Sequence, residues 1–564
     1  MSKYTNSLRK LCALCVSAVK RTLLHRRDAE SAELTQRRFI GFLNQNAYVG
    51  TLGVYLGAGI VTLNGRLISV GLPDLRGALG LGIDDASWIP TSYNMALMFM
   101  GPFSVYLGGL LGPRRVLLSS AAIFILCSLL LPLSPNLQTM LCLQVISGLA
   151  SGTFYPLTLS YALRALPMRY VIYAIGIYSM DIVGATSIGT SLEAWYVEHL
   201  SWHWIFWQSV FLTPLMMLCI YLAIPNPPPR PGPKPVLSWR GFLYASLALS
   251  LIYGALDQGE RLNWLHSGVI VGLLVTACFL LAVTMIRRWL SPNPMFNPIF
   301  IVNRNTALIC ACLFCFRFVL LAIALLLPAI LAVTQNYRPQ QTGRVLLWLI
   351  PSLVLSGVIA ARLMRRFDNR LVFASGFTVV AIACLINTQL TSAWAGGNFL
   401  LSQLVIGFGL AVAFTALVGS FVQNAFDTGA LSSPVNLLTY ASFIHCIRLF
   451  GGEAGTALMQ RLITVREQFH SNMIGLHADA GNWLTTDRVR LLAQVLFPGS
   501  AGAEDAQARA ALLLGGQIKL QAYTMAYADG YLAIAFVAAF AIVLIACLKP
   551  MKIYFDSNSA TPTK

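Results

Sequence analysis

Residues 62–75 read TLNGRLISVGLPDL and lie in the first of many long apolar stretches of the chain. A helix of about 20 apolar residues is needed to cross the hydrocarbon of a bilayer. The stretch from residue 48 to residue 71 has this length, and it carries Asn64 and Arg66 in its second half. Because such groups are costly in hydrocarbon, the stretch predicts a membrane helix whose polar residues serve a function.

The composition of the chain is that of a polytopic membrane protein. Of its 564 residues, 57% are hydrophobic and 11% are charged, whereas soluble proteins average about 25% charged residues. The formal net charge of +18 comes from Lys and Arg residues that cluster between apolar stretches, which is the distribution that orients helices in a membrane. The charge therefore indicates contact with anionic membrane lipid and not with nucleic acid.

Fourteen apolar stretches are long enough to be membrane spans. They are predicted near residues 48–71, 88–110, 116–133, 139–161, 171–196, 203–224, 237–256, 266–286, 306–333, 343–363, 371–391, 397–420, 436–460 and 526–548. The basic residues of the short loops fall on one side of the membrane if both termini are cytoplasmic, which supports an even number of spans. We therefore expect an all-α, multi-pass protein of the inner (cytoplasmic) membrane with both termini in the cytoplasm.

Six motifs occur in the order in which a known family carries them. They are LNGRLISVGLP (63–73), ASWIPTSYNMA (86–96), LQVISGLASGTFYPL (143–157), SWHWIFWQSVFLTP (201–214), LDQGERLNW (256–264) and IRLFGGEAGTAL (447–458). Together with fourteen spans, this order resembles the major facilitator superfamily, and within it the fourteen-span drug:proton antiporters of the EmrB and QacA type. The resemblance implies two six-helix bundles around a central cavity, two additional helices between them, and alternating access to a site near the middle of the membrane.

The resemblance and the loop composition divide the chain into five segments. These are a basic cytoplasmic N-terminal segment (1–47), the N-terminal six-helix bundle (48–224), a proline-rich linker with the two additional helices (225–290), the C-terminal six-helix bundle (300–548) and a cytoplasmic tail (549–564). A long outer loop near residues 461–525 interrupts the second bundle.

The chain departs from the family at several positions, and at two of them the family has an ionisable residue. Asn64 stands where the family usually has an aspartate, and Gln144 stands where it usually has an arginine. Gly189 and Thr190 occupy the place of a Gly-Pro pair in the fifth span. Because Asn and Gln cannot titrate, we do not expect proton coupling at the family's usual site in the first half.

Polar and ionisable residues inside the spans are candidates for binding the substrate or a coupling proton. The candidates are Asn64, Arg66, Gln144, Asp181, Arg317, His445, Arg448 and Glu453. For the ionisable candidates a purely structural role is the open alternative, and His445 is more typical of a core histidine. Arg66 either faces the cavity, where it supplies the positive charge missing at Gln144, or extends to the outer membrane surface. Pairing of Arg66 with Asp181 is not expected, since their estimated depths differ by about 10 Å.

Two basic loops are candidates for a latch that holds one conformation. The segment GVIAARLMRR (357–366) has the spacing of the family's loop between its second and third helices, and VYLGGLLGPRR (105–115) retains part of it. The latch candidates are Gly112, Arg115, Arg362, Arg365 and Arg366. The alternative is that these charges only set the topology.

These observations predict a secondary active transporter, in particular a multidrug-type efflux pump for amphipathic, anionic small molecules. No cofactor is expected, since the sequence has no phosphate-binding glycine loop. An enzyme is not expected either, because no nucleophile stands out together with a base that could activate it. The cluster CACLFC (310–315) is interpreted as small apolar residues and not as a metal site. A coupling proton and a periplasmic adaptor (membrane fusion) protein are candidate partners. The alternatives are an uncoupled or importing facilitator of an organic anion or siderophore, and a non-transporting assembly partner.

Overall fold

The described part of the chain is almost entirely helical. The computed structural model describes residues 48–165, 168–224, 239–290, 303–429, 434–478, 481–500 and 502–550. Within these ranges no strand is present, which agrees with the predicted all-α fold. The predicted basic N-terminal segment (1–47) lies outside the described residues, as does most of the proline-rich linker.

The helices fall into two halves joined by a helical pair. The helices of the first half are α1 (Tyr48–Val70), α2 (Leu72–Leu79), α3 (Ile83–Ala86), α4 (Trp88–Leu111), α5 (Pro113–Leu130), α6 (Leu137–Ser151), α7 (Phe154–Ala165), α8 (Met168–His199) and α9 (Trp204–Ala223). The joining pair is α10 (Trp239–Gly259) and α11 (Gly268–Leu290). The helices of the second half are α12 (Arg304–Gln335), α13 (Pro339–Leu346), α14 (Leu349–Arg366), α15 (Asn369–Asn387), α16 (Leu400–Asp427), α17 (Pro434–Gly475), α18 (Trp483–Leu496) and α19 (Ala503–Ala546).

Eleven helical segments of the described residues are long and apolar enough to cross a membrane. Each of them overlaps one of the fourteen predicted spans. The other three predicted spans lie on α8, α10 and α17, which are long helices but carry charged residues within the apolar sequence, among them Asp181, Asp257 and Arg448. The count of fourteen spans therefore stays a prediction.

The segment predicted as a long outer loop is largely helical. Helix α17 continues to Gly475, α18 follows, and α19 already begins at Ala503. The span predicted at 526–548 is therefore the second part of a 44-residue helix. The sequence of α18, WLTTDRVRLLAQVL, is amphipathic, and apolar windows alone do not detect such a helix.

Each half has its own apolar core. The first core includes Phe124, Phe154 and Phe206. The second core is built around side chains such as Phe316 and Phe373, and it also takes in residues of α7 and α8 from the first half. The second core therefore extends across the contact between the halves, which places polar residues at this contact in an apolar surrounding.

Two groups of helices form the contact between the halves. On one side α8 packs against α13 and α14, and the hydroxyl of Ser191 donates to the carbonyl of Gly343 (2.7 Å). On the other side α4 packs against α17, where the hydroxyl of Ser442 donates to the carbonyl of Gly101 (2.6 Å). Helix α10 packs against both α4 and α17, so that the added helical pair lies beside this second contact.

Close helix packing inside the first half depends on Gly148. A Cβ atom at this position of α6 would lie 2.3 Å from the carbonyl oxygen of Tyr93 on α4. A larger side chain therefore forces the two helices apart. By contrast, a Cβ at Gly272 of α11 would meet no atom within 4 Å.

We expect Gly148→Leu to destabilise the protein by about 1–3 kcal/mol, which is typical of overpacking. The measurement is the thermal unfolding of the purified protein in detergent. Gly272→Leu is the matched control, because it makes the same change on an exposed helix face. Equal melting temperatures for the two variants would contradict the packing described for α4 and α6.

Candidate functional site

Arg66 lies on α1 and connects the two halves. Its guanidinium donates to the hydroxyl of Thr190 on α8 (3.3 Å) and to the main-chain carbonyl of Ala324 on α12 (3.1 Å). The Cβ position of Gly189 lies 2.7 Å from Cγ of Arg66, so this site on α8 needs a glycine. The structure thus places the guanidinium between the halves.

The carbonyl of Ala324 can accept this hydrogen bond because of Pro328. In an α-helix the carbonyl of a residue accepts from the N–H four residues later. Four residues after Ala324 is Pro328, inside α12, and proline has no N–H. A buried carbonyl without a donor is costly, and Arg66 supplies the donor. The sequence contains this signal, because a proline inside a predicted span predicts a free carbonyl one turn earlier.

Asn64 and Gln144 lie in the interior of the first half. Asn64 is 2% exposed, and its Oδ1 accepts from the hydroxyl of Ser209 on α9 (3.4 Å). Gln144 is completely buried on α6, a helix that packs against α4 and α5. Neither amide atom of Gln144 has a hydrogen-bond partner among the described residues. The two neutral residues therefore do not form a pair with Arg66 in this structure.

Asp181 is half-buried on α8 and faces α1. Its Oδ1 lies 2.7 Å from the Cβ position of Gly59, and its Oδ2 is buried without a partner among the described residues. Gly59 precedes Arg66 by seven residues, or about 10 Å along a helix. Within the described residues no ion pair joins Asp181 to Arg66.

Aromatic rings from both halves meet between α1, α7 and α8 on one side and α16 and α17 on the other. The ring of Tyr178 lies 6.5 Å from Tyr55, 6.2 Å from Tyr155 and 6.1 Å from Phe414, measured between centroids. His445 stacks on Tyr155 at 4.9 Å. We call these five residues the central aromatic cluster. Through this cluster, His445 of the second half contacts the first half.

Two buried arginines adjoin the central aromatic cluster. Arg448 is 3% exposed, and its guanidinium carbon lies 4.3 Å from the ring centroid of Tyr155. Arg317 is 6% exposed, and its Nε donates to the carbonyl of Arg448 (3.2 Å). No ion pair of the described residues includes either arginine. The site therefore holds two desolvated cations in contact with a polarisable ring and a carbonyl.

Glu453 lies on α17 and contacts α10. The hydroxyl of Tyr253 donates to its Oε2 (2.7 Å), and Asp257 lies one turn after Tyr253 on α10. Asp257 was not among the candidates, although it lies in the motif LDQGERLNW. The signal that singles out Glu453, an acid within an apolar helix, also applies to Asp257.

The candidate latch residues have different surroundings. Arg365 lies at the end of α14, and its guanidinium carbon is 4.8 Å from the ring centroid of Tyr173 on α8, in the other half. Gly112 joins α4 to α5 with φ +85°, a backbone angle that favours glycine. The remaining latch candidates, Arg115, Arg362 and Arg366, are exposed.

Two arginines that were not singled out bind the ends of neighbouring helices. Arg114 at the start of α5 donates to the carbonyl of Tyr221 near the end of α9 (2.9 Å). Arg370 at the start of α15 donates in the same way to the carbonyl of Leu548, just beyond α19 (2.9 Å). A cation is stabilising at a helix C-terminus, where the last carbonyls lack partners. In both halves, therefore, an arginine at the start of one helix binds a carbonyl at the end of a neighbouring helix.

Comparison with known proteins identifies the family. Residues 54–444 match the model of the Major Facilitator Superfamily. The multidrug export protein EmrB of Haemophilus influenzae is 25% identical over 436 residues, which are 77% of this chain and 83% of that protein. The fatty acid resistance protein FarB of Neisseria gonorrhoeae is 22% identical over 431 residues, 76% of this chain and 83% of that protein.

A solved structure supports the fold. The proton:xylose symporter XylE has a TM-score of 0.54 and 12% sequence identity, with coverage of 90% of this chain and 97% of that chain. The predicted resemblance to EmrB-type members of the superfamily is confirmed by the relatives. The chain is therefore a member of the major facilitator superfamily, a multi-pass membrane transporter and not an enzyme.

Proposed function

We propose that the protein exports amphipathic, anionic small molecules by alternating access, driven by an ion gradient. The observation that supports this substrate class is the pair Arg317 and Arg448, which are buried between the halves without a carboxylate partner among the described residues. A buried charge that lacks a partner is costly. An anionic group of the substrate would provide that partner.

The central aromatic cluster suits the apolar part of such a substrate. Tyr55, Tyr155 and Tyr178 belong to the first half, whereas Phe414 belongs to the second. A molecule with a carboxylate and an apolar body could bind the arginines with one end and the rings with the other. The relative FarB is named for resistance to fatty acids, which are molecules of this kind.

Alternating access would break and remake the contacts between the halves. Arg66 is a residue that such a movement would affect, since it bonds α8 in the first half and α12 in the second. Arg365 would act in a comparable way through Tyr173. We propose that both contacts favour the conformation described here over the alternative one.

An accessory protein on the outer side is supported by the exposed apolar residues of the outer segment. Leu476, Trp483 and Val495 are 73%, 72% and 77% exposed. We propose that α18 and the adjoining ends of α17 and α19 receive a periplasmic adaptor protein. A stable complex through residues 461–525 without any substrate flux would favour a non-transporting assembly partner.

The first test measures flux in proteoliposomes. We expect a fluorescent medium-chain carboxylate to be transported faster than a lipophilic cation such as tetraphenylphosphonium. Arg448→Gln should lower carboxylate flux by about tenfold, the effect of roughly 1.4 kcal/mol, and Arg448→Lys should retain more flux because it keeps the charge. Arg461→Gln is the control, since Arg461 lies on the same helix with a side chain that is 48% exposed.

Two outcomes would contradict parts of this proposal. A preference for the cation contradicts the anionic substrate class. Carboxylate flux that is unchanged by an imposed pH gradient and by an imposed membrane potential points to an uncoupled facilitator, the alternative that Asn64 and Gln144 suggest.

The second test concerns the Arg66 contact. Arg66→Gln removes a charge-assisted hydrogen bond worth about 1.5–3 kcal/mol, and we expect it to lower carboxylate flux. Pro328→Ala should act in the same direction, because the new N–H of residue 328 bonds the Ala324 carbonyl and displaces Arg66. Pro214→Ala in α9 is the matched control. The effects of Arg66→Gln and Pro328→Ala should not add in the double variant, and additive effects would refute the shared contact.

A further inference from the structure

Helix α10 makes hydrogen bonds to both halves of the protein. Its Ser250 donates to the carbonyl of Met95 on α4 (2.8 Å), and its Tyr253 donates to Glu453 on α17 (2.7 Å). Helix α4 belongs to the first half and α17 to the second. A relative movement of these two helices must therefore change the contacts of α10.

The last turn of α10 brings two carboxyl groups together. Asp257 lies one turn after Tyr253 on α10, and the hydroxyl of Tyr253 donates to Glu453 (2.7 Å), so both carboxyl groups lie at the contact between α10 and α17. The hydroxyl of Thr91 on α4 donates to Oδ2 of Asp257, and the hydroxyl of Thr456 donates to Oε1 of Glu453 (3.3 Å). Two adjacent carboxylates cannot both be ionised at low cost, because like charges repel strongly in an apolar surrounding. The arrangement therefore favours a proton on one of the two carboxyl groups.

The neighbouring charges are committed to other partners. Arg261, two residues beyond the end of α10, pairs with Asp84 (2.5 Å), and Glu260 pairs with Arg461 on α17 (3.6 Å). The cation of α11 that adjoins α10, Arg287, lies over the ring of Tyr244 at the other end of the helix. The acid pair is therefore not neutralised by an ion pair among the described residues of these helices.

Arg317 is the exception, because part of its guanidinium is free. The side chain is 6% exposed, and Nη1 is buried without a hydrogen-bond partner among the described residues. Its Nη2 lies 3.5 Å from the Cβ position of Gly452, the residue before Glu453. When the pair loses its proton, the carboxylate of Glu453 can gain this guanidinium as its partner. Both the protonated and the deprotonated state thus have a stabilising contact.

We propose that Asp257 and Glu453 together form the binding site of the coupling proton, at the contact between α10 and α17. This inference rests on the proposed transport function. Because Arg317 also holds the carbonyl of Arg448, release of the proton changes the position of a residue that adjoins the central aromatic cluster. The site replaces the acid that Asn64 does not provide.

The experiment separates coupling from transport. We expect Asp257→Asn and Glu453→Gln to abolish net carboxylate flux driven by a pH gradient, and to leave carboxylate exchange at equal pH within about twofold of the wild type. Retained exchange also shows that the variants fold. Glu260→Gln, three residues from Asp257 and just beyond the end of α10, is the matched control and should keep both activities.

A second measurement does not depend on a substrate. Infrared difference spectra of the purified protein between acidic and alkaline pH should contain the C=O band of the protonated pair, and this contribution should lose amplitude or shift in frequency in Asp257→Asn and Glu453→Gln by more than in Glu260→Gln. Spectra of both variants that match the spectrum of Glu260→Gln overturn the proposal, as does a pH-driven flux equal to that of the wild type. Absence of carboxylate exchange in the wild type overturns the proposed transport function instead. The infrared spectra then test the proton site independently of transport.

Discussion

A guanidinium that lies between the two halves has to find its hydrogen-bond acceptors inside the protein, and this constraint shapes the contact between the halves. Arg66 uses a hydroxyl and the carbonyl that Pro328 sets free in α12. Arg317 uses the carbonyl of Arg448, and Arg448 lies over the ring of Tyr155. None of these acceptors is a carboxylate. The positive charge is therefore solvated but not neutralised, which is the condition under which an anion binds well.

Among the described residues, no ion pair joins the acids of this region to its arginines. Glu453 accepts from Tyr253 at the contact of α17 with α10, where Asp257 also lies, and Asp181 faces Gly59 on α1. Nη2 of Arg317 lies 3.5 Å from the Cβ position of Gly452, next to Glu453, so the proposed change of charge at Glu453 acts directly on this guanidinium. Helix α10 touches both α4 and α17, and the proposed mechanism therefore includes the additional helical pair in the transport cycle.

Some of these features follow from local sequence and others do not. The apolar stretches predict the helices, since each span must satisfy its backbone hydrogen bonds internally. The rule that ionisable residues in spans are functional identifies Arg317, Arg448 and Glu453, but it misses Asp257, because the predicted span 237–256 ends one residue before it. The sequence does not single out Arg114 and Arg370, which bind helix ends, because a loop arginine does not indicate which carbonyl it reaches.

The sequence by itself determined the family, the all-α membrane fold and the substitution of a neutral amide for an acid at Asn64, since these depend on composition, order of motifs and residue identity. The tertiary structure alone decided the partners of each polar side chain. Arg66 and Ala324 are separated by 258 residues, and Tyr253 and Glu453 by 200. Contacts over such distances depend on how the helices pack, and hydropathy patterns carry no information about which faces meet.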